Sequence, residues 1–270
     1  MAMYRGELSP FLLWLANLSK AVLRIQHNPM NSLADVSRIY SSADHAERHK
    51  IVYTGFEAAA RADTQLKETF EACDGFGELA FAWNWKLLVD AMPTGGFSML
   101  EVGVYKGRVL AQVGLCAART GRKAQLYGVT PLCNLGDKYS RYDISNYFGD
   151  IQTNFGKCQV SMETLQLFIG LSQDPDILKQ VRWTAPFDII FIDGCHDYEV
   201  VLQDIDAYVP LVRKGGYFVM DDCSLYVQAP YGQFLGHPDV SRAAEERLRN
   251  HPQLRHVVAV GHNQVWQKIA

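Results

Sequence analysis

The sequence predicts an α/β fold, a doubly wound and mostly parallel sheet of seven strands that ends in an antiparallel C-terminal hairpin. Two of its short apolar runs, 189–193 and 217–222, end in aspartate, and a helical pattern lies between them. Such runs are typical of strands buried on both faces of a parallel sheet. The last two strand-like segments are separated only by Gly261, His262 and Asn263, which is short enough for a hairpin.

The elements follow in an alternating order that supports this fold. The predicted strands are 98–104, 125–130, 165–170, 189–193, 217–222, 254–260 and 264–268. The predicted helices are 78–92, 109–119, 144–155, 176–181, 198–212 and 240–249. Strand–helix–strand crossovers in one sheet make the strands parallel. We therefore expect the ligand-binding residues at the carboxyl edge of this sheet.

The first part of the chain predicts a separate helical region. Residues 10–25 place apolar side chains on one helical face, which favours packing on the body or on a neighbouring subunit over a membrane-surface anchor. Residues 26–61 are polar and weakly periodic, as in a lid or an extended arm. We therefore expect a helical N-terminal extension or lid at 1–92, an α/β domain at 93–270, and a homo-oligomer formed through the first helix.

Composition excludes several classes of protein. The 270 residues are 48% hydrophobic and 20% charged, with a net charge of −3 and no basic run that would follow a phosphate backbone. Nucleic acid is therefore not an expected partner, and 10–25 is too short to span a membrane. The six cysteines show no paired spacing, which predicts reduced thiols, no zinc and a cytoplasmic location.

Four side chains at the ends of the two central strands predict a metal site with a base beside it. Asp193 ends one strand, Asp221 and Asp222 end the other, and His196 follows the first. Carboxylate oxygens suit a hard divalent cation, and an imidazole can accept a proton from a neighbouring hydroxyl. The alternatives are helix capping or solvation for the acids and a loop hydrogen bond for the histidine.

Three other acids, Asp197, Asp204 and Asp206, are assigned to capping or solvation. The histidines other than His196 show no metal-ligand spacing, and we interpret His237 and His262 as surface or loop residues. None of these five residues is expected in the site.

A glycine turn follows the first strand of the predicted domain. Its pattern is Glu101-x-Gly103-x-x-x-Gly107, at a strand-to-helix turn where glycine lets a backbone approach a ligand closely. The spacing differs from the GxGxxG of pyrophosphate binders. The alternative is that these glycines only permit tight packing of the strand and the helix.

Together these motifs resemble the class I S-adenosylmethionine-dependent methyltransferases, in particular the group related to macrocin O-methyltransferase and cephalosporin hydroxylase. The resemblance covers about 97–269 and is carried by EVGVYKG, FIDGCHDYEVVLQDI and KGGYFVMDD, in the family's order. It implies a Rossmann-like sheet, S-adenosylmethionine as cofactor and a divalent cation, usually Mg²⁺. The residues that it places at the cofactor are Glu101, Gly103, Tyr105, Gly107, Thr130, Ser172 and Asp193. It implies cation ligands at Asp193, Asp221 and Asp222, and a general base at His196.

The chain departs from the family at two cofactor positions. Thr130 stands where the family usually carries an acid that binds the ribose hydroxyls, and Asp137 is a candidate to replace that acid. Leu171 stands before Ser172, where an acid is common near the adenine.

The acceptor is expected to be a small molecule with a hydroxyl group, such as a sugar or a secondary metabolite. Aromatic residues could line its pocket, or they could belong to the core: Tyr139, Tyr142, Tyr147, Phe148, Tyr226 and Tyr231. The predicted function is metal-dependent O-methylation. The alternatives are a non-catalytic cofactor-binding subunit and an enzyme of related fold that uses the metal site for another reaction, such as hydroxylation.

Overall fold

The structure is a computed structural model, and it describes residues 30–42, 45–227 and 234–270. The helix predicted at 10–25 lies outside the described residues. The α-helices are α1 (Leu33–Ser42), α2 (His45–Ala62), α3 (Thr64–Ala72), α4 (Leu79–Asp90), α5 (Arg108–Arg119), α6 (Tyr147–Lys157), α7 (Pro175–Thr184), α8 (Tyr198–Tyr208) and α9 (Pro238–Arg247). The strands are β1 (Phe97–Val102), β2 (Ala124–Thr130), β3 (Leu165–Ile169), β4 (Phe187–Ile192), β5 (Val212–Met220), β6 (Leu254–Val260) and β7 (Asn263–Lys268).

All seven strands form one sheet in the order β3-β2-β1-β4-β5-β7-β6. β1 to β5 are parallel, whereas β7 runs antiparallel to both β5 and β6. The predicted fold, including the C-terminal hairpin, is confirmed. The hairpin is tighter than predicted, because Asn263 already belongs to β7 and only two residues form the turn.

The strand order reverses direction between β1 and β4, which is where ligands bind in open α/β sheets. Val102 pairs with Ile192, so the two strands end at the same level. The N–H of Asp193 then donates to the carbonyl oxygen of Val102 at 2.8 Å. This contact fixes the loop after β4 against the end of β1.

Each face of the sheet carries its own apolar core. Neighbouring residues of β1 illustrate the alternation, since Met99 packs into one core and Leu100 into the other. Trp85 of α4 meets Phe191 of β4 edge to face, with ring centroids 4.9 Å apart. The N-terminal helices thus cover one face of the sheet.

The segment 26–61, which the sequence presents as polar and weakly periodic, contains two helices in its described part. Val36 of α1 and Val52 and Phe56 of α2 are fully buried. α2 packs against both α4 and β6. Because it meets neighbours on more than one side, its apolar residues do not form the single stripe that marks an amphipathic helix.

Within these described residues, no helix combines the length and the apolar character needed to cross a bilayer.

Candidate active site

A cavity of about 800 Å³ opens at the carboxyl edge of the sheet. Every residue that the sequence assigned to the cofactor, the cation or the base lines this cavity: Glu101, Gly103, Tyr105, Gly107, Thr130, Ser172, Asp193, His196, Asp221 and Asp222. The strand ends therefore bring together residues that lie up to 121 positions apart in the sequence, from 101 to 222.

The glycine turn is required by the packing of the protein itself. Gly103 has φ +97°, and a Cβ at this position would lie 2.0 Å from the carbonyl oxygen of Asp193. Gly107 caps α5 with φ +70°, and its Cβ would lie 3.1 Å from Ile151. Tight packing thus requires glycine at 103 whether or not a ligand also approaches it, but the neighbour is the loop after β4 and not the following helix.

Glu101 lies at the end of β1 and is 3% exposed. Burial, aided by the charge of Asp221, raises the pKa of Glu101 to about 8. Its Oε2 has no hydrogen-bond partner among the described residues. Glu101 is therefore a largely protonated acid at neutral pH with one oxygen available to a ligand.

His196 is held between two carboxylates. Its Nδ1 lies 2.7 Å from Oδ2 of Asp137, and its backbone N–H donates to the same oxygen at 2.8 Å. Its Nε2 lies 3.1 Å from Oδ2 of Asp222. Burial alone would lower the pKa of His196, but the hydrogen bond to Asp222 and the charge of Asp137 outweigh burial and raise it.

Asp137 is fixed in turn by the loop that carries it. Its Oδ1 accepts hydrogen bonds from the backbone N–H groups of Tyr139 and Ser140, both at 2.8 Å. The sequence offered Asp137 as a replacement for the missing ribose ligand. That suggestion is not supported, because both of its oxygens are occupied by His196 and by its own loop.

The three predicted cation ligands lie at the ends of β4 and β5. Burial raises the pKa of Asp193 well above its ordinary value, and the charges of Asp221 and Asp222 add to the rise. Burial would also raise the pKa of Asp222, but hydrogen bonds from His196 and His262 outweigh it and lower that pKa. Asp222 also has φ +53°, a left-handed backbone conformation that is uncommon for residues other than glycine.

His262 lies in the hairpin turn, as expected for a loop residue, but it is buried and part of this cluster, so its predicted place outside the site is wrong. Its Nδ1 lies 2.6 Å from Oδ1 of Asp221 and 2.9 Å from Oδ1 of Asp222. Burial would lower the pKa of His262, but these carboxylates raise it to about 10. The predicted hairpin could have indicated this position of His262 from the sequence, since a strand that runs antiparallel to β5 begins beside the carboxyl end of β5.

His237 lies in a loop, as predicted, but it also lines the cavity, where it was not expected. Its Nε2 lies 3.5 Å from Oδ2 of Asp222. Its ring stacks on Tyr139 with centroids 4.5 Å apart. His237 immediately precedes α9, so the start of that helix positions the ring.

Two groups of side chains have ligand atoms close enough to share one cation, among the residues that the structure describes. They are Asp221, Asp222 and His262, and His196, Asp222 and His237, with all ligand atoms in a group within 4.8 Å of one another. Asp193 belongs to neither group, although its carboxyl group faces that of Asp221. Asp222 is common to both groups and is therefore the central acid of the site.

The two departures from the family motif are explained only in part. The hydroxyl of Thr130 accepts a hydrogen bond from the N–H of Leu132 at 3.1 Å, which stabilises the turn after β2. Ser172 accepts one from the side-chain amide of Gln173 at 2.8 Å. Both hydroxyl groups lie at the cavity and retain hydrogen-bonding capacity for a ligand.

Asp204 is buried, which corrects its assignment to capping or solvation. The residue is 1% exposed, and burial raises its pKa to about 7, opposed by the nearby hydroxyl of Ser172. Neither carboxylate oxygen completes a hydrogen bond with a described residue. Asp206 conforms to its assignment, being exposed and paired with Arg247 at 3.3 Å.

Aromatic rings form one wall of the cavity. Phe76 and Tyr105 stack with centroids 5.2 Å apart, and Tyr105 also contacts Tyr142 and Tyr147 at 5.1 and 5.4 Å. Of the aromatic residues proposed for an acceptor pocket, Tyr139, Tyr142 and Tyr147 line the cavity. Phe148 and Tyr226 do not: they are 44% and 59% exposed and lie outside its lining. Tyr231 lies outside the described residues.

Comparisons with known proteins agree with this geometry. Residues 100–223 match the family model of a methyltransferase domain. An uncharacterized protein, R132 of Acanthamoeba polyphaga mimivirus, is 28% identical over 145 residues, which are 53% of this chain and 59% of that protein. The matched region thus spans less than two thirds of that curated relative.

Solved structures share the fold. The O-methyltransferase TomG from Streptomyces achromogenes, solved in complex with SAM, superposes with a TM-score of 0.51 at 18% identity, covering 84% of this chain and all of TomG (100%). The O-methyltransferase NovP superposes with a TM-score of 0.51 at 17% identity, covering 70% of this chain and 80% of NovP. Together with the strand order, these similarities show that the chain has the fold of these O-methyltransferases, and its residues 100–223 match a methyltransferase domain.

Proposed function

We propose that this protein transfers a methyl group from S-adenosylmethionine to a hydroxyl oxygen of a small molecule, and that the reaction requires a divalent cation such as Mg²⁺. The observation that carries the proposal is the His196 imidazole, held between Asp137 and Asp222 in the same cavity as the Gly103 turn. Sugars and secondary metabolites are the acceptor classes to test first. The similarity to proteins described as O-methyltransferases, TomG and NovP, supports oxygen as the acceptor atom.

The donor set fits a hard cation. Asp221 and Asp222 have carboxylate oxygens close enough to share one cation, and Asp193 faces Asp221 from the adjacent strand end, where the negative charges of these acids repel one another. Buried polar atoms around them, Oε2 of Glu101 and Oδ1 of Asn263, lack hydrogen-bond partners among the described residues. Unsatisfied buried polar atoms are rare in native proteins unless a ligand or an ion completes the site.

The cavity also fits the cofactor. Its volume of about 800 Å³ can hold a nucleoside-sized molecule and part of an acceptor. The backbone N–H groups at the N-terminus of α5, directly after Gly107, have no partner within the helix and can donate hydrogen bonds to a carboxylate of the cofactor. When bound, S-adenosylmethionine supplies an electrophilic methyl group, and a divalent cation lowers the pKa of a nearby hydroxyl.

In this proposal His196 receives the proton of the acceptor hydroxyl. Asp137 holds the Nδ1 side of the ring, so proton transfer takes place at Nε2, which faces Asp222. The two carboxylates raise the pKa of His196 and so favour its protonated form, whereas only the neutral ring can act as a base. Nε2 can therefore accept a proton only when the carboxylate of Asp222 contacts another partner instead of His196.

The proposal extends to the state of the protein in the cell. We infer a cytoplasmic, homo-oligomeric enzyme in which residues 1–92 form an extension of the catalytic domain 93–270. The number of free thiols supports the first inference, since all six cysteines are unpaired in the structure. Light scattering on a chain that lacks residues 1–27 tests the second, and a smaller assembly is expected.

The function is tested by measuring S-adenosylhomocysteine release with a panel of sugar and phenolic hydroxyl acceptors. We expect release that depends on an acceptor and on Mg²⁺, and that stops with excess chelator. Binding of S-adenosylhomocysteine without turnover of any acceptor would favour the non-catalytic alternative. Full turnover in excess chelator would remove the cation from the mechanism.

A further inference from the structure

Two cysteines that are 85 positions apart in the sequence meet in the interior of the protein. The Sγ atoms of Cys73 and Cys158 lie 3.6 Å apart, which is van der Waals contact between sulfur atoms. Cys73 is 3% exposed and Cys158 is 1% exposed. Each is the C-cap residue that directly follows a helix, α3 for Cys73 and α6 for Cys158.

The surroundings make the two thiols unequal. The hydrogen bond from Cys158 lowers the pKa of Cys73, against the effect of burial, and the charges of Arg108 and Lys157 lower it further. The same hydrogen bond, with burial, raises the pKa of Cys158. Of the two thiols, Cys73 is therefore the one that loses its proton more readily. Because the thiolate is the nucleophile in cysteine chemistry, Cys73 is the one to react first.

The pair also stands at the junction between the N-terminal helices and the catalytic domain. The segment that follows Cys73 lines the cavity with four residues, 75–78. Arg108 of α5 donates hydrogen bonds to the carbonyl oxygens of Cys73 and Gly75 at 2.7 and 3.0 Å. Asn154 of α6 donates to the carbonyl oxygen of Asp74 at 2.7 Å. A covalent bond here would add to these contacts and fix one wall of the cavity.

We propose that Cys73 and Cys158 form a redox-active dithiol site that a small hydroperoxide closes into a disulfide. The Cys73 thiolate attacks one oxygen of the hydroperoxide, which forms the sulfenic acid of Cys73 and releases hydroxide or alkoxide. The Cys158 thiol then attacks the Sγ of Cys73, the S–S bond forms, and the sulfenic oxygen leaves as water with the thiol proton. Two thiols lose two electrons, and the peroxide bond is reduced by the same two.

Burial limits the reagent to a small one, and the contact between the two Sγ atoms makes the pair distinct from the other thiols. Of these, Cys116 and Cys223 are buried, Cys195 is half-buried and Cys133 is exposed. A reversible cross-link agrees with the usual role of disulfides in reducing compartments, where they are transient. This inference goes beyond the proposed function and does not depend on it.

The test uses the full chain, treated with hydrogen peroxide, then alkylated and mapped by mass spectrometry without reduction. We expect a peptide pair joined through Cys73 and Cys158, about 2 Da lighter than the two peptides, and its loss after treatment with dithiothreitol. Cys73→Ser and Cys158→Ser should each abolish the joined pair, whereas the control Cys133→Ser should keep it. The joined form should also melt about 5 to 10 °C higher than the reduced form, since it closes a long loop.

Three results would overturn the proposal. One is a folded wild-type chain in which both thiols remain fully alkylated after peroxide treatment. A second is a stable sulfenic or sulfinic acid at Cys73 without a cross-link to Cys158. A third is cross-linking through Cys133 alone, which would assign the reaction to the exposed thiol.

Discussion

The Nε2 atom of His196 lies 3.1 Å from Oδ2 of Asp222, so the proposed base and a proposed cation ligand are in direct contact. This contact raises the pKa of His196 and lowers that of Asp222. The pKa values of the two residues therefore depend on each other, and a substitution of either residue changes the pKa of the other. Substitutions at this pair are the most informative ones in the site.

His196→Ala should slow methyl transfer by roughly a hundredfold to ten-thousandfold, the usual effect of losing a positioned base. Affinity for S-adenosylhomocysteine should stay close to that of the wild type.

Asp137→Asn should slow methyl transfer less than His196→Ala does. It should also shift the pH–rate profile to lower pH, because it removes a carboxylate that raises the pKa of His196. Steady-state rates across pH, with calorimetry for binding, check both variants. An undiminished rate in His196→Ala would exclude its role as the base.

Phe76→Ala should weaken acceptor binding with little effect on stability. The side chain is 71% exposed and stacks on Tyr105 at the cavity wall. Loss of an aromatic contact corresponds to a rise of about threefold to tenfold in the acceptor KM. Phe148→Ala is the matched control, since Phe148 is exposed but lies outside the cavity lining. Equal KM values for the two variants would exclude Phe76 from acceptor binding.

Gly103→Ala should lower the melting temperature or prevent folding, because its Cβ would lie 2.0 Å from the carbonyl oxygen of Asp193. Gly121→Ala is the control: it also has positive φ, +67°, but its Cβ would meet nothing within 4 Å. That variant should lose only about 1 kcal/mol. Thermal melts of both variants check the difference. A Gly103→Ala protein with normal stability and selectively lost cofactor binding would contradict the packing argument.

Asp204→Asn should become more stable relative to the wild type as pH rises from about 4 to about 7. The folded-state pKa of Asp204 is raised from 3.8 to about 7, so the unfolded chain loses this proton first and wild-type stability falls across that window. Asparagine removes the cost of the buried charge, which reaches up to about 4 kcal/mol above the window. Urea unfolding at several pH values measures the difference. A difference in unfolding free energy that is constant with pH would contradict this prediction.

The fold and the central acids were predictable because they depend on local patterns. A buried parallel strand that ends at an acidic residue places that residue at the carboxyl edge of the sheet. The sequence alone therefore predicts that Asp193 and Asp222 lie in one cleft. The family motifs added the glycine turn. The largest shift of a boundary from β1 onwards is at β5, which begins at Val212, five residues before the predicted start at 217.

The remaining contacts could not be predicted because they join distant parts of the chain. His262 enters the acidic cluster only because β7 lies beside β5, and His237 enters it at the start of α9. Asp204 lies in a helix, and its sequence context does not differ from that of an exposed acid, so its burial could not be predicted. The Cys73–Cys158 contact has no spacing motif at all, since it depends on how α3 and α6 end against each other.

The most direct test of the account is a calorimetric titration of Mg²⁺ into the wild type and into Asp222→Asn, both saturated with S-adenosylhomocysteine. Asp206→Asn is the control, because Asp206 is an exposed acid paired with Arg247. The account predicts one cation per chain in the wild type and in the control, and an affinity at least about tenfold lower in Asp222→Asn. Absence of Mg²⁺ binding by the wild type, or equal affinity in Asp222→Asn, would contradict it.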